Sequence, residues 1–303
     1  MLSRCPWSAS TDQRLVTNAL RVPWRLLSFG VAWVLAQGIA ESVLGPLFGL
    51  LSRSVGESVP VYPWSSLIGA AAACYVALRF VDDVPWSVMA LGDQAWQGQR
   101  IARGALLGTA AILGTAGILW AVGALRLEAM PTGGVDGAAI VQDRWGGTAL
   151  RLLWLLGPAA LWEELVFRGY LYAVAEEAAG LWVARLSSSV AFGAVHLMNP
   201  GANVRTTMVV MLAGLCLCLV RERTDSLPAA WSAHLAWNWV MAAVLHVPVS
   251  GLPFATPGYR AIPNGSEWIS GGAWGPEGGL VAMLVLGGVL VVGYRHRSAL
   301  TET

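Results

Sequence analysis

Three short patterns place groups able to hydrolyse an amide inside apolar surroundings: Glu163, Glu164 and Arg168 in Trp-Glu-Glu-Leu-Val-Phe-Arg-Gly, Phe192 with His196, and His234 with Asn238. A carboxylate in apolar surroundings can act as a general base on water. An imidazole can accept or relay a proton, and an imidazole or amide N–H can steady an oxyanion. Residues four apart share a helix face, and a glutamate four positions before an arginine is the favourable order, so Glu164 is expected to pair with Arg168. Glu163 then points to a different side of the same helix and is the carboxylate left for chemistry. His234 and Asn238 share a face by the same rule. Reading both acids as structural partners of basic groups is the competing view, but two buried acids are a costly way to hold one arginine.

The elements that position these groups must be helices in lipid. Over 303 residues the mean hydropathy is +0.58, with 56% hydrophobic and 12% charged residues, which is the range of polytopic membrane proteins. In that solvent an unpaired charge costs several kcal/mol, so buried acids read as working groups. The net charge is +1 and no basic cluster is present, which argues against nucleic-acid partners. Cys5, Cys74, Cys216 and Cys218 lack metal-ligand spacing and read as small core residues, so no metal site is expected.

Eight apolar runs are long enough, or nearly so, to cross a bilayer as helices, which predicts an all-α bundle of about eight transmembrane helices. They lie near 26–51, 61–80, 104–124, 150–170, 181–197, 206–220, 227–246 and 279–293. The expected organisation is a cytoplasmic tail over 1–25, the bundle over 26–297 with a catalytic core at 147–246, an external Pro/Gly-rich loop over 247–278, and a tail over 298–303. That loop has no apolar periodicity and reads as an irregular cap. Arginines concentrate before the first run and in alternate loops, which predicts both termini on the cytoplasmic side. All 19 basic residues are arginine, a usage resembling that of GC-rich bacterial genomes, and this points to a bacterial plasma (inner) membrane. Gly104 and Gly108 are spaced for close helix packing. Glu41 reads as an intramembrane acid satisfied by neighbours, and Glu176 and Glu177 as solvated.

Taken in order, the three patterns resemble those of the glutamic intramembrane proteases of the CPBP superfamily, which contains the Ras-converting CAAX endopeptidase and bacterial relatives. The resemblance covers about residues 147–246. Weaker similarity in Trp268–Gly279 lies in Gly-Gly-Ala-Trp-Gly-Pro-Glu, which looks like a stretch before the last helix of bacterial members. It implies a conical catalytic cavity within the membrane and peptide hydrolysis without a covalent intermediate or a metal or other cofactor. In the roles it suggests, Glu163 aided by His196 activates water, His234 and Asn238 donate to the oxyanion, and Glu164 with Arg168 holds the first glutamate in place. The implied substrate is a membrane protein or peptide, lipidated or carrying a C-terminal hydrophobic anchor, as in processing of sorting tails by myxosortase-like members. Other readings are a zinc site on one glutamate and two histidines, a non-proteolytic adaptor or carrier on the same scaffold, and a bacteriocin-immunity protein.

Overall fold

The computed structural model describes residues 11–55, 59–129, 145–254 and 259–298. Arg4, Cys5 and the tail beyond Ser298 lie outside the described residues. The described chain is nearly all-α, and each of the eight apolar runs is helical. The helices of the first half are α1 (Thr11–Val55), α2 (Tyr62–Val76), α3 (Gly98–Ala121), α4 (Trp145–Glu164) and α5 (Tyr172–Ala179). Those of the second half are α6 (Leu181–Val195), α7 (Val204–Thr224), α8 (Leu227–Trp239), the short α9 (Glu267–Ser270) and α10 (Leu280–Ser298). Among the described residues, five helical segments, at Arg21–Ser54, Tyr62–Asp82, Gly98–Ala121, Leu181–Met198 and Val204–Thr224, are long and apolar enough to span a membrane. The chain is a multi-pass membrane protein.

Local sequence explains where the helices that build the core stop and start. Asn203 caps α7 by accepting from the Thr206 N–H, while Thr206 returns a bond to the Asn203 N–H. Asp225 ends α7 in the left-handed conformation, and Ser226 then caps α8, with Pro228 in its first turn where no N–H is needed. Among the described residues, three π-helical stretches interrupt the bundle, at Ala77–Asp82, Leu165–Leu171 and Val240–Leu245. Two of them directly follow the polar patterns on α4 and α8. Single π turns inside helices are frequent at functional sites because they rotate one stretch of side chains relative to the next.

Helices α3 and α8 pack backbone to backbone. A Cβ on Gly104 would lie 2.0 Å from the Ala229 carbonyl oxygen, and one on Gly108 2.1 Å from that of Ala233. Only glycine permits this approach. On its other side α8 is fastened to α4 by two indoles, with Trp231 Nε1–H donating to the Gly157 carbonyl and Trp239 Nε1–H to that of Ala149, both at 2.9 Å.

Three expectations are corrected. Helix α1 begins at Thr11, so Arg21 and Arg25 belong to a helix that starts well before Leu26. Arg25 is buried and bonded to Asp82 and Glu177, each at 2.6 Å. Glu177 is therefore an ion-pair partner, with its side chain 6% exposed, and is not solvated. The described residues of the 247–278 segment are more regular than a loop without periodicity suggests. It contributes strand β2 (Tyr259–Pro263), paired antiparallel with β1 (Leu125–Ala129) with Glu128 opposite Arg260, followed by α9 and two tight turns. Glu41 lies exposed on α1, and Cys74, Cys216 and Cys218 are buried free thiols.

Candidate active site

Glu163 and Glu164 close α4, and Arg168 follows in the π-helical turn Leu165–Leu171. The expected Glu164–Arg168 pair forms at 3.1 Å with both side chains 0% exposed. Neighbouring helices serve the irregular turn: Ser188 Oγ–H donates to the Phe167 carbonyl at 2.8 Å. Gly169 faces Met89, whose Cε would lie 2.4 Å from an added Cβ. The site therefore begins on a stretch of backbone whose departure from α geometry is built into its packing.

His234 of α8 joins the two acids. Its Nδ1 is 2.9 Å from Glu164 Oε1, and its Nε2 is 3.8 Å from Glu163 Oε2. A carboxylate accepts, so Nδ1 carries hydrogen and Nε2 is turned to Glu163. His196 sits where α6 passes into the turn His196–Met198, and its Nδ1–H donates to the Phe192 carbonyl at 2.7 Å. A carbonyl oxygen offers no hydrogen, so the proton is on Nδ1. In the neutral ring Nε2 keeps its lone pair, the form a proton acceptor needs.

Phe192 is the common neighbour. Its ring lies 4.6 Å from the His196 ring and 5.8 Å from that of His234, and the Arg168 guanidinium carbon stands 3.9 Å over it. A cation held over an aromatic face gains electrostatic stabilisation that grows when water is excluded. One apolar side chain thus packs against the arginine and both imidazoles. The structure gathers Glu163, Glu164, Arg168 and His234 through direct contacts and links His196 to them through Phe192. Among the described residues Glu163 and His196 share no hydrogen bond or ion pair, so the histidine nearest Glu163 is His234.

Asn238 enters through the adjoining cavity, about 540 Å³ in volume, between α3, α6, α7, α8 and α10. His196, His234 and Asn238 line it, along with apolar side chains such as Leu107, Val210 and Leu286. Neither glutamate is part of the wall, so His234 is the residue that both faces the cavity and touches the carboxylates. Among the described residues, Glu164 Oε2 and Arg168 Nε and Nη2 are buried with no hydrogen-bond partner. Buried polar atoms left open in this way call for solvent or a ligand group.

Several contributors carried no sequence expectation. Trp231 and Trp239 fix the bearing of α8, and their spacing of eight along one helix face was the available signal. Ser188, Ser250 and Glu277 act only through tertiary contacts and left no local pattern beyond the acid closing Gly-Gly-Ala-Trp-Gly-Pro-Glu.

Residues 145–240 match the family described as type II CAAX prenyl endopeptidase Rce1-like. The matched stretch runs from the start of α4 to the first residue after α8 and includes all six candidate site residues. No curated protein and no solved structure matches the chain.

Proposed function

We propose that this chain, which belongs to the CPBP superfamily through its Rce1-like domain, is a glutamic intramembrane endopeptidase cleaving near the C-terminal region of a membrane-anchored or lipid-modified protein. The family implies a peptidase acting on a peptide or protein in the membrane. The observation that carries the finer reading is the contact of His234 with both glutamates while it also lines an apolar cavity shared with His196 and Asn238.

In this reading Glu163 takes a proton from water as the oxygen adds to the scissile carbonyl carbon. His196, with its Nε2 lone pair free, helps hold that water, and the proton taken up by Glu163 is given to the departing amine. Asn238 donates its side-chain N–H to the oxyanion. His234 donates from Nε2 when doubly protonated, its positive charge balanced by the two carboxylates beside it, and each such donor is worth about 3 kcal/mol in the transition state. Glu164 and Arg168 position: Glu164 fixes the His234 ring through Nδ1, and Arg168 fixes Glu164 and braces Phe192.

The cavity's largely apolar wall suits a substrate whose cleavage site lies beside a hydrophobic segment, as in a C-terminal sorting tail. The arginine distribution supports cytoplasmic termini in a bacterial inner membrane, with β1–β2 on the opposite side. Mass spectrometry of the C-terminal peptides of surface proteins tests the substrate class. Cells lacking the gene, or carrying Glu163→Gln, should retain apolar C-terminal anchors that are removed in wild-type cells. Identical C termini in all three strains would remove the sorting-tail assignment.

A further inference from the structure

Glu277 ends the Gly-Gly-Ala-Trp-Gly-Pro-Glu run before α10 and is 8% exposed on the wall of the same cavity. Its Oε1 accepts from the Ser250 backbone N–H at 2.5 Å and from the Ser250 hydroxyl at 2.8 Å. Its Oε2 accepts from Trp237 Nε1–H at 2.8 Å. Trp237 directly precedes Asn238 on α8. On the other side, the Ser250 carbonyl accepts from Asn199 Nδ2–H at 3.0 Å, and the Asn199 backbone N–H returns to the His196 carbonyl at 3.1 Å. One carboxylate therefore ties the segment that carries His196 to the helix that carries His234 and Asn238.

The backbone shows that this tie is held under constraint. Ser250 has φ +49°, a region that side chains other than glycine's adopt at a cost, and both of its donors close on Glu277. Gly251 follows at φ +79°, where a Cβ would lie 2.2 Å from the Pro200 carbonyl oxygen. The turn after His196 and the loop after α8 thus interlock through Ser250, and Glu277 accepts from that loop and from Trp237 of α8.

We infer that Glu277 is a positioning residue that sets the spacing of His196 from the His234–Asn238 face across the cavity. The inference rests on the endopeptidase reading above. Glutamine at this site has one acceptor oxygen for two directions, so its amide N–H must face either the Trp237 indole N–H or the Ser250 donors. Removing the indole donor should relieve that conflict.

The test is steady-state cleavage of a quenched-fluorescent reporter with a C-terminal apolar anchor, by full-length protein in lipid vesicles. Glu277→Gln should lower kcat about tenfold or more, as expected for a buried donor left facing a donor, with KM within about twofold. Trp237→Phe alone should lower kcat several-fold. The double variant should regain at least about threefold over Glu277→Gln, because the conflict no longer exists. A wild-type kcat in Glu277→Gln, or losses that multiply in the double variant, overturns the inference. Should Glu277→Gln fail to fold, Trp237→Phe decides, and an unchanged kcat there overturns it. A fully active Glu163→Gln sinks the endopeptidase reading together with this one, whereas an inactive Glu163→Gln beside an unimpaired Glu277→Gln sinks the positioning role alone.

Discussion

Glu222 and Glu164 each answer an arginine inside the bundle, and the two sites are satisfied in different ways. Glu222 Oε1 accepts from Arg185 Nε at 2.8 Å and from the Tyr172 hydroxyl at 2.7 Å, while Oε2 accepts from Arg185 Nη2. The guanidinium is also stacked against Trp182 and Tyr294, at 4.6 and 4.8 Å from their ring centres. Among the described residues Glu164 uses only Oε1, shared by Arg168 and His234, while its Oε2 and two nitrogens of Arg168 have no hydrogen-bond partner. A fork-on-fork pair with both carboxylate oxygens occupied is a lock between helices. An acid with one oxygen open, beside a second acid and an imidazole on a cavity, is poorly suited to locking and well suited to positioning reactive groups.

Breaking the lock should give the largest effect on stability. Glu222→Ala strands Arg185, only 2% exposed, and should cost about 3–5 kcal/mol of unfolding free energy, measured by denaturant titration in detergent. Activity per folded molecule should be preserved. A Glu222→Ala chain that is as stable as wild type but inactive would erase the distinction between the two clusters. Tyr172→Phe sharpens it on a smaller scale: loss of one hydrogen bond should cost about 1 kcal/mol in the same titration and leave kcat unchanged.

The parts of this molecule legible from sequence are those written in local periodicity. Each apolar run became a helix because hydropathy in a bilayer is decided over about 20 neighbouring residues. The Glu164–Arg168 pair and the close packing at Gly104 and Gly108 followed from i, i+4 geometry, which survives even where the helix turns to π form at Leu165. What stayed hidden is tertiary. Arg25 reads as tail and Glu177 as surface until α1 and α5 come together. Strands β1 and β2 each mix polar and apolar residues and find their partner far along the chain. The ordering of histidines about Glu163 was the least legible part of the site. Sequence spacing put no constraint on whether α6 or α8 would stand closer, and the indole bonds from Trp231 and Trp239 to α4 bring His234 there.

In the proposed reaction Glu163 activates water beside His196 and His234. The direct measurement is cleavage of the anchored reporter by purified protein in lipid vesicles, wild type against Glu163→Gln, with thermal unfolding of both followed in parallel. Loss of a general base predicts a fall of at least about 10²-fold in kcat with the unfolding temperature kept close to wild type. Cleavage by folded Glu163→Gln at the wild-type rate would contradict the account.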